Sequence, residues 1–292
     1  MLWNFPFWNF VGVWDLGFVI FDSTAELREL ARRVRRDVLE ISYASRSGHI
    51  GSALSAADLL TALYFHYLRV DPAGPASERD RFIMSKGHAC AAYYAVLCRR
   101  GFFARAFLEG FGKDGGTLSH HPKRAPELGI DASTGSLGHG LSIGAGLAFS
   151  AKQAGASWRT AVLLSDGEQN EGSVWEAALF AGHHKQDNLL AVVDCNQMQA
   201  LGFTREIADL SGAEGLWRSF GWGVRRINGH DMEAIVRTLD AFPFEPGRPS
   251  VVLADTVKGK GVSFMENQLL WHYRCPDANE YARALAEIDA HA

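Results

Sequence analysis

Two short polar motifs, Asp166–Gly167 and Asp194–Cys195–Asn196, each close an apolar run, and about thirty residues separate Asp166 from Asn196. The Asp166 carboxylate, the Asn196 amide oxygen and a nearby backbone carbonyl are hard oxygen donors. They suit Mg²⁺ or Ca²⁺ bridging phosphate oxygens rather than zinc. Gly167 would let a phosphate approach the backbone. Asp and Asn also close many ordinary strand-end turns, so a lone Asp-Gly pair carries little. Two such ends at this spacing read instead as a clasp for a diphosphate and its metal.

The elements that must position the clasp follow from the same segment. Thr160 to Leu164 and Leu189 to Val193 are short apolar runs suited to buried parallel strands. Between them Ser173 and Glu176 read as a capping box, and Trp175, Ala178, Leu179 and Gly182 recur with helical spacing. A helix joining two parallel strands makes a crossover unit, and ligands in such sheets lie at the carboxyl ends of the strands. Further strands are expected at Arg81 to Met84, Val224 to Ile227 and Ser250 to Ala254, with helices at Asp231 to Ala241 and from Ala278. Repeated alternation of strand and helix predicts an α/β fold, a doubly wound parallel sheet with helices on both faces.

The chain resembles the transketolase family, whose thiamine diphosphate motif is Gly-Asp-Gly followed after about thirty residues by Asn; Ser165 replaces the first glycine here. The likeness runs from about Phe21 to about Arg274. It includes SGHIGSALS at Ser47 to Ser55, SKGHA at Ser85 to Ala89 and TGSLGHGLSIGAGLA at Thr134 to Ala148. Similar blocks occur in split transketolases. The resemblance implies a thiamine diphosphate-binding fold of the diphosphate-binding module. It implies Asp166, Asn196 and the Met198 carbonyl as metal ligands, His88 and Gly167 at the diphosphate, and Gly135 and Leu137 at the aminopyrimidine. His49 and His121 match histidines that face the sugar, Glu171 matches an acid linking paired active sites, and His272 matches a cofactor-side histidine.

Not every polar residue needs a role. Eleven histidines are present, and a histidine usually serves as a hydrogen-bonded or surface group. His183 and His184, near the end of the crossover helix, complement its dipole and receive no chemistry. His49 differs because it sits in a Ser-Gly-His loop, where exposed backbone favours a site. His120 and His121 are adjacent, so only one is expected to face a given pocket, and the following proline selects His121. Gly138, Gly140, Gly144 and Gly146 lack the spacing of a dinucleotide fingerprint. Gly144 and Gly146 are expected to serve close helix packing, and Gly135 and Gly138 to shape the cofactor loop. Lys258 and Lys260, in TVKGKG, could meet phosphate, but exposed loop lysines are usually only solvated, and they are read so here.

Chain length and composition bound the rest. The 292 residues, 47% hydrophobic, suffice for one large domain over residues 22–292. Net charge is −4, and the one basic cluster, Arg32, Arg33, Arg35 and Arg36, lies on a helix opened by Ser23 and Glu26, so nucleic acid is not indicated. Those arginines read as its solvated side or a contact with another protein chain, opposite Leu27, Leu30, Val34, Val38 and Ile41. Four cysteines form no CxxC pair or framework, which predicts a reducing cytoplasm and gives zinc no support. Cys195 reads as a packed thiol. Residues 1–21 hold Trp3, Trp8, Trp14 and five phenylalanines without a basic residue. They fit neither a signal peptide nor a membrane span and read as an extension outside the family pattern.

Transketolases take the glutamate that tunes the aminopyrimidine from a following domain, and this chain stops short of it. The resemblance therefore implies a partner, a C-terminal subunit carrying the pyrimidine-binding domain and the catalytic glutamate, in a heterotetramer. The expected activity is transfer of a two-carbon ketol unit from a ketose phosphate to an aldose phosphate. Deoxyxylulose phosphate synthase, the α chain of a 2-oxoacid dehydrogenase and a non-catalytic regulatory relative are the alternatives.

Overall fold

The computed structural model describes residues 23–290; the aromatic extension expected at residues 1–21 lies outside them. In chain order the helices are α1 (Thr24–Ser45), α2 (Ile50–Ser55), α3 (Ala57–Ala62), α4 (Cys90–Arg100), α5 (Ala106–Glu109) and α6 (His139–Gln153). They continue with α7 (Gly172–His183), α8 (Thr204–Ile207), α9 (Ala213–Ser219), α10 (Met232–Asp240) and α11 (Ala278–Ala290). The strands are β1 (Arg81–Met84), β2 (Thr160–Ser165), β3 (Leu189–Cys195), β4 (Gly223–Asn228) and β5 (Ser250–Asp255).

All pairings are parallel, in the order β1-β2-β3-β5-β4. Alternate residues of the central strands feed two separate cores. Ala161, Leu163, Leu190, Val192, Val252 and Ala254 pack with α1, α3, α4 and α10. Val162, Leu164, Leu189, Ala191, Val193 and Leu253 pack with α6, α7 and α9. Burial on both faces explains why these strands read as continuous apolar runs. It also makes β2 and β3 a rigid platform, since each fully buried Val, Leu or Ile contributes about 1.5–3 kcal/mol. The sheet is the expected doubly wound α/β sheet, with every predicted strand in place.

Several local expectations hold and others need correction. Ser23 caps α1 by accepting from Glu26 N at 3.2 Å, and Leu27, Val34, Val38 and Ile41 are buried. Arg32, Arg33 and Arg36 pair with acidic neighbours at the surface. Arg35 does not belong to that solvated side: it is buried and forks onto Asp58, with one arm at 3.0 Å. The capping box at Ser173 is absent, because Glu171 is the N-cap of α7 and Ser173 Oγ donates instead to Gly138 O at 2.9 Å. The buried face of α7 is Val174, Ala177, Ala178 and Ala181, while Leu179 is 57% exposed. Gly144 does serve close packing, against Val162, but Gly146 faces open space. Among the described residues no helix is long and apolar enough to cross a membrane.

Candidate active site

Asp166, Asn196 and Met198 converge where β2 and β3 end. Asp166 Oδ1 accepts from Gly167 N at 2.8 Å and Oδ2 from Gln197 N at 2.6 Å. Both donors are backbone groups, so its carboxylate has no cationic side chain bonded to it among the described residues. Burial, then the nearby Asp194 carboxylate, push the Asp166 carboxyl up to about 7, and the two N–H donors only partly oppose this. A buried acid without a cationic partner is costly when ionised, and a divalent cation is the group that would relieve it. Asn196 Oδ1 accepts from Met198 N at 3.2 Å and keeps a second lone pair. Together with the Met198 carbonyl, these oxygens fit the hard-donor set expected for Mg²⁺ or Ca²⁺.

Beneath them lies a closed polar network. Lys86 and Asp194 form a fully buried ion pair. Ser55 Oγ donates to Asp194 at 2.6 Å, the Thr256 hydroxyl bonds its other oxygen, and Lys86 Nζ also reaches Ser52 O at 3.1 Å. Burial acts upward on the Asp194 carboxyl, yet Lys86 and the two hydroxyls hold it below its usual value. Asn196 Nδ2 rests on Ser55 Oγ at 3.3 Å. Removing one partner of such a pair costs about 3–5 kcal/mol, so the network fixes the platform from which Asn196 projects.

Ser165 fits where glycine is usual. Its φ is not positive, so no glycine-only conformation is required. Its hydroxyl accepts from Glu168 N at 3.3 Å, and its own N–H donates to Glu168 Oε2 at 3.2 Å. The other Glu168 oxygen accepts from Gly138 N at 2.8 Å and from the Ser85 hydroxyl. Glu168 is buried, and burial raises its carboxyl pKa. It ties the Asp166 loop to the loop from Thr134 to Gly138, which carries Gly135 and Leu137. Gly135 has φ 145° and Gly138 φ 83°, and a Cβ on Gly135 would meet the His121 ring at 2.8 Å. Gly167 lies under the Gln199 side chain.

Three expected histidines meet. Ring centroids are 5.3 Å apart for His49 and His88, 4.8 Å for His49 and His272, and 5.7 Å for His88 and His272. Burial, followed by neighbouring positive charge, depresses all three, with His272 down to about 3. They are therefore neutral imidazoles at physiological pH, each able to donate and accept. His49 Nδ1 is buried without a hydrogen-bond partner, which leaves a polar atom for an incoming hydroxyl. His49 sits at φ 64°, and its N–H donates to His272 O at 2.9 Å.

A cavity of about 270 Å³ opens from this cluster. His120 and His121 both line it, which corrects the expectation that only one would. Burial, then His120, lowers the His121 pKa. Glu171 stands apart, exposed at the start of α7 beside Gly138.

Lys258 is not the solvated loop lysine of the preferred reading. It is buried, with Nζ 3.0 Å from His272 Nδ1 and 3.4 Å from Met198 O. Burial and then the Lys86 ammonium push it down to about 8, against the pull of Asp166 and Asp194. The signal that could have found it is positional: TVKGKG follows β5, at the same edge of the sheet as Asp166 and Asn196. Cys195 is a packed thiol, with burial raising its pKa well above the ordinary value.

Comparison with known proteins assigns this arrangement to a family. Residues 27–285 match the thiamine diphosphate binding domain of transketolase. The chain is 43% identical over 268 residues to one of the subunits of the apulose-4-phosphate transketolase of Phocaeicola vulgatus, covering 91% of this chain and 94% of the relative. It is 38% identical to a 6-deoxy-6-sulfo-D-fructose transketolase subunit from a Clostridium species, covering 92% and 98%. A solved Pichia stipitis transketolase variant superposes with TM-score 0.85 at 25% identity, over 91% of this chain and 41% of that one. The chain thus spans about two-fifths of the solved transketolase and nearly all of the two subunits. By these matches the chain belongs to the transketolase family and carries its thiamine diphosphate binding domain.

Proposed function

We propose that the chain is the diphosphate-binding half of a split transketolase that moves a two-carbon ketol unit from a ketose phosphate to an aldose phosphate. The observation that carries this reading is the buried Asp166, with no cationic side chain bonded to it, converging with Asn196 and Met198, whose carbonyl Lys258 links to the cluster of three neutral histidines. Thiamine diphosphate, when bound, supplies the nucleophilic carbon and electron sink for the transfer. Asp166, Asn196 and the Met198 carbonyl hold the metal, and His88, Gly167 and Lys258 face the diphosphate. Gly135 and Leu137 meet the aminopyrimidine. His49 and His121 bind sugar hydroxyls and move protons on and off them, while Lys258 holds the His272 ring through Nδ1.

The far wall and the glutamate for the aminopyrimidine come from a C-terminal partner subunit. The naming of two relatives as transketolase subunits supports this. Two such pairs assemble into a heterotetramer through the side of α6 and α7, where Ile143, Leu179 and Phe180 are exposed. Four free cysteines support a reducing, cytoplasmic setting. The test is ketol transfer with this chain alone and with the partner polypeptide added. Activity is expected only with both; turnover by this chain alone would overturn the split-site reading.

A further inference from the structure

Both backbone groups of Gly138 are held by the segment that starts at Asp166. Its N–H donates to Glu168 Oε1 at 2.8 Å, and its carbonyl accepts from Ser173 Oγ at 2.9 Å. Glu168 lies between β2 and α7, and Ser173 stands in the first turn of α7. The fit requires glycine: φ is 83°, and a Cβ would lie 2.5 Å from Ser173 Oγ and 2.6 Å from Glu171 Cβ. At the start of the same loop Thr134 Oγ1 donates to Met84 O at 2.7 Å, and a Cβ on Gly87 would meet Gly135 N at 2.9 Å. The loop is therefore pinned at Thr134 and at Gly138, with Gly135 and Leu137 between the pins.

Glu168 is a costly residue to bury. It is fully buried, and among the described residues no cationic side chain is bonded to it. Its carboxyl group is met by Ser165 N–H at 3.2 Å, by Gly138 N–H and by the Ser85 hydroxyl. An apolar side chain of similar volume would be easier to accommodate there. What the carboxyl group provides is a joint, because its donors come from the turn after β1, the residue before α6 and the end of β2.

We propose that Glu168 and Ser173 are positioning residues that lock the loop from Thr134 to Gly138 to the Asp166 turn, and so set the spacing between the aminopyrimidine end and the diphosphate end of the bound cofactor. The inference rests on the thiamine diphosphate reading of the site. Neither side chain has to touch the cofactor. A site whose two ends are fixed before the ligand arrives loses less freedom on binding, and the gain goes only to a ligand that reaches both ends. Inorganic pyrophosphate with Mg²⁺ reaches one end alone.

The test is calorimetric titration of the assembled two-subunit protein with thiamine diphosphate and, separately, with inorganic pyrophosphate, each at saturating Mg²⁺. Wild type is compared with Glu168→Gln, whose amide oxygen can serve only one side of the joint, and with Ser173→Ala, which removes a single hydroxyl from α7 and keeps the fold. The ratio of thiamine diphosphate affinity to pyrophosphate affinity should fall about 10- to 100-fold in Glu168→Gln and about 3- to 10-fold in Ser173→Ala. A role confined to stability would weaken both ligands together and leave the ratio at its wild-type value. An unchanged ratio in either folded variant would overturn the proposal, and if Glu168→Gln does not fold, Ser173→Ala decides it alone. A wild type that binds neither ligand defeats the cofactor reading and the clamp with it. A wild type that binds both, with variants that keep its ratio, defeats the clamp alone.

Discussion

Replacing Asp166 with Asn should make the cofactor-free protein more stable at alkaline pH while destroying the site. The Asp166 carboxyl is raised from 3.8 to about 7 in the folded chain. An acid with a raised folded-state pKa holds its proton in the native state after the unfolded chain has lost it. Stability therefore falls as pH rises from 3.8, and the penalty is complete once pH passes 7. Between pH 5 and pH 7 this amounts to two units at about 1.4 kcal/mol each, so about 3 kcal/mol. Asparagine removes that slope. It also turns an NH₂ toward either Gly167 N–H or Gln197 N–H, a pH-independent cost of about 1–3 kcal/mol. The stability difference between Asp166→Asn and wild type should accordingly grow by about 3 kcal/mol in favour of the variant from pH 5 to pH 8. Urea unfolding without metal, at both pH values, reads it directly. Thiamine diphosphate with Mg²⁺ should raise the midpoint of wild type at pH 8 and leave that of the variant unmoved. A difference that is flat with pH, or a variant still stabilised by both ligands, would refute the reasoning.

Two further outcomes follow from the geometry. His49, His88 and His272 are depressed bases, so the unfolded chain takes up protons below about pH 6.5 that the folded chain refuses, His272 until about pH 3. Stability should fall as pH drops through this window, and His272→Asn should flatten the fall; an unchanged acid slope in urea titrations would count against the cluster. Leu179→Lys, on the exposed side of α7, should lower the mass of the assembled protein by light scattering without lowering the unfolding midpoint of this chain on its own. An unchanged mass would remove that face from the assembly.

The sheet was legible because β2, β3 and β5 are buried on both faces, which forces continuous apolar runs that stand out between turns. Asp166 and Asn196 were legible because strand ends and ligand crevices coincide in such sheets. The misreadings share one cause: the decisive partners lie far away in sequence. Arg35 looks like its solvated neighbours until Asp58 is placed beside it, 23 residues on. Lys258 looks like a loop lysine until β5 delivers its turn under Met198, 60 residues away. Ser173 and Glu176 have the spacing of a capping box, but Gly138 O, 35 residues earlier, takes the serine hydroxyl. Leu179 keeps helical spacing with buried residues and still faces out, because the buried face of α7 is Val174, Ala177, Ala178 and Ala181, and Leu179 and Phe180 lie off it.

Anomalous diffraction from crystals grown with thiamine diphosphate and Mn²⁺ in place of Mg²⁺ tests the central claim most directly. The account predicts one strong manganese peak within about 2.0–2.4 Å of Asp166, of Asn196 Oδ1 and of the Met198 carbonyl, bridging the diphosphate. A diphosphate bound elsewhere, or manganese that leaves Asp166 without a metal, would contradict it.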